Sequence, residues 1–269
     1  AGMNDLVKSR ALSRLVWQAG KVVSGVDQVA VEMPVAMVYN DISHAVMMAT
    51  PSDLEDFAIG FSMSEGILDS PVQLLDCKEN ITSKGIELAM TITEAPFARL
   101  KHRRRVLAGR TGCGICGIES LDQVMNKPAL ITSDIRVTHS AVQSALVTLG
   151  ERQELQRQTG AVHAAAWCSI NGELLIIRED VGRHNALDKL LGARNRQGDA
   201  NSPGFALVTS RASYEMVFKT ASANIPLLAT LSAPTSLAIE LANQSGLTLV
   251  AFTRPERHVI YTGPQRLPG

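Results

Sequence analysis

Cys113-Gly-Ile-Cys116 puts two thiols three residues apart, with glycines at 109, 112, 114 and 117 around them. Three chemistries use such a pair. A zinc site needs a second pair of similar spacing, and Cys77 and Cys168 stand isolated with no His pair nearby, so zinc fits least well. A thioredoxin-like dithiol normally opens a helix after a strand; here the basic run Lys101-His-Arg-Arg-Arg105 precedes instead. A sulfur carrier needs a thiolate on an exposed, pliable loop that visits donor and acceptor in turn. Arg110 and the 101–105 cations favour the thiolate, and the glycines supply reach and remove steric cover. The residues alone leave the dithiol and the carrier both open.

Other reactive types lie in the C-terminal half. Glu179-Asp180, Ser210-Arg211, Ser232 and Phe252-Thr253-Arg254 each follow an apolar run. If those runs are strands of one sheet, their polar ends mark a ligand-binding crevice. The helices that follow would aim free N–H groups at an anion, and Arg211, Arg254 and Arg257 would grip phosphate. Wet loops at strand ends explain the same residues equally well. His163 sits among small apolar residues and reads as a hydrogen-bonded core histidine. His184 and Asp188 are four apart, placed to orient an imidazole or to form a surface pair. Cys77, Cys168, Met47, Met48 and Met63 read as packing residues.

The elements that must position these groups follow from periodicity. Residues 27–49 read as two strands about a turn at Asn40-Asp41. Ser52-Asp-Leu-Glu55 has the capping-box pattern and opens a helix that Gly66 ends. Ile86, Leu88, Met90 and Ile92 alternate as a half-buried strand, and residues 94–120 read as a mobile loop region. A helix is predicted over 138–158. A hairpin then turns at Asn171-Gly172, with helices over 183–194, 214–223 and 235–243 between strands at 205–209, 227–231 and 247–252. Strand–helix alternation predicts a parallel sheet with right-handed crossovers.

Composition bounds the rest. The 269 residues are 45% hydrophobic, enough for a sizeable core, and the formal charge is zero. That balance, with 4% aromatics, speaks against nucleic-acid binding. No apolar run spans a membrane and no secretory signal is seen, so a reducing cytoplasm is expected.

Taken together, the motifs resemble the FdhD family, the formate dehydrogenase accessory sulfurtransferases. The matching stretches are Glu32-Met-Pro-Val, Gly60-Phe-Ser-Met-Ser-Glu65-Gly, residues 105–117, 160–165, 179–189, Ser210-Arg-Ala-Ser-Tyr-Glu-Met216, Ser232-Ala-Pro-Thr-Ser236 and 247–257, nearly the whole chain. The resemblance implies a protein that accepts sulfur from a cysteine desulfurase and passes it to bis-molybdopterin guanine dinucleotide for formate dehydrogenase. It assigns the persulfide to Cys113, with Cys116 as second loop cysteine, and the cofactor to Phe252, Thr253, Arg254, Pro255, Glu256 and Arg257. Ser210 and Arg211 join them from the strand ends, and GDP should mimic the guanine nucleotide. The implied fold is α/β: a cytidine-deaminase-like domain of mixed or parallel sheet with helices on both faces (residues 126–269), plus a smaller N-terminal α+β domain ending in the Cys-x-x-Cys loop (residues 1–125). A homodimer is implied as well. The zinc deaminase signature is absent, so deamination is not expected. The alternative is a chaperone that holds the cofactor without sulfur chemistry, and a third reading is a dithiol oxidoreductase.

Overall fold

The computed structural model describes residues 6–108, 128, 130–198 and 201–268. The first described element is a long antiparallel hairpin, β1 (Ser9–Gln18) and β2 (Lys21–Ala30), turned at Ala19 and Gly20, both with positive φ. A four-stranded sheet follows, ordered β4-β3-β6-β5, from β3 (Met33–Tyr39), β4 (Ile42–Ala49), β5 (Leu74–Thr82) and β6 (Gly85–Ile92). The turn at Asn40 and Asp41 forms as predicted, both residues left-handed as a tight hairpin requires. Helix α1 (Leu54–Ser64) covers one face: Leu54, Phe57 and Phe61 pack on Met37, Leu88 and Met90. The predicted capping box does not form, since Asp53 takes the N-cap position with φ 51° and no side-chain cap. Helix α2 (Glu94–Ala108) occupies residues assigned to the mobile stretch, and Pro96 sits in its first turn, where a missing N–H costs nothing.

The second sheet has six strands, ordered β12-β11-β10-β9-β7-β8. They are β7 (His163–Ser169), β8 (Leu174–Asp180), β9 (Gly204–Val208), β10 (Leu227–Thr230), β11 (Thr248–Arg254) and β12 (Arg257–Thr262). Only β9, β10 and β11 run parallel; β7, β8 and β12 pair antiparallel, so the sheet is mixed. Both faces are covered, and the strands divide their side chains strictly between them. Ala165, Trp167, Ala206 and Val208 face helices α5 (Arg183–Arg196), α6 (Tyr214–Ser222) and α7 (Ser236–Ser245). Ala164, Ala166, Cys168, Phe205 and Leu207 face helix α3 (His139–Arg152). The helix predicted over 138–158 breaks at Gln153, and its second part is α4 (Glu154–Thr159). Each fully buried Leu or Phe in these cores contributes roughly 1.5–3 kcal/mol.

The two sheets meet where α1 crosses α5. A Cβ on Gly60 would stand 1.7 Å from the Asp188 carbonyl oxygen, and one on Gly192 would stand 1.8 Å from that of Asp56. Only glycine lets the two backbones approach so closely, and that approach fixes one sheet on the other. Met48, predicted to be core, is 48% exposed on the outer face of β4, whereas Met47 and Met63 pack against the core.

Candidate functional site

The polar residues predicted at strand ends do share one edge. With β9, β10 and β11 parallel and β7 reversed, Ser210-Arg211, Ser232, residues 252–254 and His163 sit along the carboxyl edge, beside the end of β8 at Glu179-Asp180. Backbone bonds tie the loops of this edge together. Ala212 and Thr235 exchange N–H···O contacts with residues 233 and 212, and the Phe252 N–H donates to Ser232 O at 3.2 Å. The N-termini of α6 and α7 also lie here. Ser213 and Thr235 cap them by accepting the N–H groups of Met216 and Ala238, which takes one of the donors an anion would use.

Residues 252–257 span the end of β11, the turn at Pro255 and Glu256, and the start of β12. Phe252 is half-buried and left-handed (φ 50°) at a bulge between Ala251 and Arg254, an unusual backbone for an aromatic residue. Thr253 is fully buried, and its hydroxyl has no hydrogen-bond partner among the described residues. Arg254 is exposed, with its guanidinium donating to the carbonyl oxygens of Leu231 and Thr253. Pro255, Glu256 and Arg257 are exposed on the turn. The Glu256 N–H donates to Gln143 Oε1 at 2.9 Å, and the Gln143 amide also reaches His258 Nδ1 at 3.1 Å. His258 Nε2 meets His139 Nδ1 at 2.8 Å, so α3 holds the turn from below. Burial, and then His139, keep His258 below the usual imidazole range. Ser210 is buried with its hydroxyl donating to Arg211 O at 3.1 Å, whereas Arg211 is exposed.

An open cavity of about 460 Å³ lies beside this edge, lined by Gln153, Gln156, Gly160, His163, Thr209 and Leu231. His163 is half-buried with Nδ1 3.4 Å from Thr209 Oγ1, rather than a closed core histidine. Burial and the nearby Arg183 lower its pKa.

His184 and Asp188 do not pair. His184 meets Glu215 at 3.1 Å, while Asp188 is buried against Lys219 at 2.8 Å and Ser64 at 2.7 Å. Lys219 also contacts Glu65 at 3.2 Å; burial opposes its charge, but the two carboxylates push its pKa above the usual lysine range. Asp180 closes a second network on Lys189 at 2.6 Å, with the N–H groups of Thr50 and Gly182 and the Asn185 amide as further donors. Lys219, Gln143 and His258 escaped the sequence reading. For Lys219 the available signal was its place three residues after Met216, on the buried stripe of α6.

Cys77 and Cys168 are packing residues, as expected: burial pushes both thiols up to about 12, far from a reactive thiolate. Cys113, Cys116 and the glycine-rich stretch predicted to be mobile lie outside the described residues. Lys101 and His102 are exposed on α2, which leads toward that stretch. No helix of the described residues is long and apolar enough to cross a membrane.

Residues 30–268 match the FdhD/NarQ family. A protein of Cupriavidus necator named sulfur carrier protein FdhD is 54% identical over 257 residues, 96% of this chain and 88% of its own. One of the same name from Variovorax paradoxus is 54% identical over 243 residues, 90% of this chain and 87% of its own. A crystal structure from Desulfotalea psychrophila, described as a formate dehydrogenase accessory protein, superposes with a TM-score of 0.77 at 27% identity, covering 97% of this chain and 100% of that one.

Proposed function

The chain belongs to the FdhD/NarQ family, and we propose that it is a sulfur carrier in formate dehydrogenase maturation, with Cys113 taking sulfur as a persulfide from a cysteine desulfurase. The observation that carries this reading is the match to sulfur carriers across a segment that includes Cys113 and Cys116. A Cys113 thiolate would attack the outer sulfur of the donor's persulfide and release the donor thiolate, the ordinary exchange route. Cys116 would assist from three residues away.

In this reading the acceptor, bis-molybdopterin guanine dinucleotide, lies along the carboxyl edge as cargo. Phe252 offers a face for guanine, Arg254, Arg257 and Arg211 meet phosphate, and Thr253, Pro255, Glu256 and Ser210 shape the turn and its neighbour. GDP would occupy the same place. A mixed sheet with helices on both faces supports the likeness to cytidine deaminases, with the division between domains at residues 125 and 126. The protein would work in the cytoplasm as a homodimer.

Incubation with a cysteine desulfurase and cysteine, followed by intact mass, tests the sulfur step. One added sulfur atom on the wild type and none on Cys113→Ala is expected, with formate dehydrogenase activation lost in the variant and the fold retained. A wild type that gains no sulfur would leave the cofactor chaperone as the better reading.

A further inference from the structure

The open cavity beside the carboxyl edge has no role in the reading of the turn at residues 252–257. Its volume, about 460 Å³, falls within the range of small-molecule sites, roughly 300–1,000 Å³. It adjoins that turn through Leu231, which lines the cavity and whose carbonyl oxygen accepts from the Arg254 guanidinium. The polar side chains that line it are two carboxamides, an imidazole and a hydroxyl, with no Arg, Lys, Asp or Glu. Gln153 stands where α3 breaks from α4. It is 9% exposed, and its side-chain amide has no hydrogen-bond partner among the described residues. A buried amide left unpaired is costly, and this one lines the cavity. Gln156 accepts the Val162 N–H on Oε1 at 2.9 Å, and its two amide N–H donors have no partner among the described residues. His163 meets Thr209 Oγ1 through Nδ1 at 3.4 Å, and its Nε2 is likewise without a partner there. Burial and the Arg183 charge favour the neutral ring, which carries one donor and one acceptor.

We propose that this cavity is a second ring subsite beside the nucleotide turn, and that it takes a fused pyrimidine with a 2-amino-4-oxo edge. The assignment rests on the carrier reading above, in which the cargo is a guanine nucleotide conjugate. Charge excludes one class of occupant. A phosphate or carboxylate in the cavity would meet no cation on its lining, whereas Arg211, Arg254 and Arg257 stand along the neighbouring edge. Hydrogen bonding selects another. A carboxamide sets a donor beside an acceptor in one plane, and pairs through two bonds with a ring edge that does the same, as Asn and Gln do with adenine. Gln153 has both groups open, Gln156 adds donors, and His163 Nε2 adds one further contact. An amino-oxo pyrimidine offers such an edge twice, as its amino group beside a bare ring nitrogen and as its ring N–H beside the oxo oxygen. Guanine and pterin both carry this pattern. Guanine lies against Phe252 on the turn in the carrier reading, so the cavity takes the pterin, with the phosphates between them beside Arg254.

The free pterin neopterin tests this on the full chain, with binding read from its own fluorescence. It should bind the wild type with a Kd below about 1 mM, the range open to a ligand of its size. Gln153→Leu should weaken that binding about tenfold or more, the discrimination lost with a bidentate pair, and leave GDP affinity by calorimetry unchanged. Urea unfolding should find the variant no less stable than the wild type, because an apolar side chain replaces an unpaired amide. Should Gln153→Leu fail to fold by circular dichroism, Gln153→Met, unbranched and of similar length, takes its place. Saturating GDP should leave neopterin bound. No binding up to about 1 mM overturns the proposal. Binding indifferent to Gln153 does so by placing the ring elsewhere, and displacement by GDP does so by making cavity and turn a single guanine site. Stability lost in step with affinity, or two variants that do not fold, makes the amide part of the fold and also overturns it. None of these readouts involves sulfur. A protein that gains no persulfide but binds neopterin through Gln153 would sink the carrier chemistry and keep the subsite; one that gains persulfide and ignores neopterin would do the reverse.

Discussion

The seam between the two sheets and the carboxyl edge of the larger sheet both concentrate charge, but under opposite conditions. At the seam, Asp180, Lys189, Asp188 and Lys219 are each 3% exposed or less, and each charge is closed on an opposite charge and further hydrogen bonds. At the edge, Arg211, Arg254 and Arg257 are exposed, Phe252 is half-buried in a left-handed backbone, and the Thr253 hydroxyl has no hydrogen-bond partner among the described residues. A closed buried network has no capacity left for a ligand, so it serves to hold geometry. Open cations on a pinned turn keep theirs. Density of ionisable groups therefore does not by itself mark a site; the state of their partners does.

The largest effect should come from opening the seam. Asp180→Ala strips the fully buried Lys189 of its counter-ion and frees the N–H groups of Thr50 and Gly182. Removing one member of a buried pair typically costs about 3–5 kcal/mol, a large share of a total stability of roughly 5–15 kcal/mol. Urea unfolding should show a loss of that size, and Asp180→Leu with Lys189→Met should recover part of it. Equal losses in the single and double variants would mean the pair matters for packing rather than charge.

A mid-sized and opposite result is expected at the edge. Phe252→Gly removes the ring while suiting the positive φ at that position, so stability should hold. Loss of a guanine stack worth roughly 1–3 kcal/mol should weaken GDP binding about tenfold by calorimetry. Unchanged affinity would take Phe252 out of the site; lost stability would make it a plug of the sheet and erase the contrast with the seam.

This contrast was only half legible in the sequence. Strands β9, β10 and β11 were readable because each is a short apolar run ending in polar residues, and that pattern also placed the edge. Hairpin β1–β2 was not, because its apolar residues fall on both faces and leave no clean alternation. The basic composition of α2 masked a helix that Pro96 could have announced. His184 and Asp188 had helical spacing, but burial gave Asp188 the stronger partner from another element, Lys219. Such long-range pairings, like that of Gln143 with Glu256, follow from topology and leave no local signature.

The smallest effect tests the clamp beneath the turn. The Glu256 N–H fixes the Gln143 amide with its oxygen toward the turn, so the amide nitrogen donates to His258 Nδ1. His258 then carries its proton on Nε2 and donates to His139 Nδ1. Protonating His258 places two donors face to face at Nδ1, so the chain of bonds requires its imidazole neutral. His258 has its folded pKa lowered from 6.5 by burial and by His139; Glu256 and Arg257 adjoin it along the chain. The sign follows. A folded state that disfavours the proton gains stability from this group above the unfolded value, and loses it as pH falls below 6.5 toward the folded value. One hydrogen bond is worth about 1 kcal/mol, so GDP affinity should drop by up to roughly fivefold as pH falls from above 6.5 through the lowered folded value. The terminal phosphate of GDP titrates near the same range, at about 6, and this contribution is common to wild type and variant. The measurement is therefore the ratio of their affinities across pH. His258→Gln keeps a side chain able to accept from Gln143 but cannot titrate, and should flatten the clamp's share of the profile. A ratio that stays constant with pH would show that the turn holds its place without the histidines, and that the edge owes its geometry to the bulge at Phe252 alone.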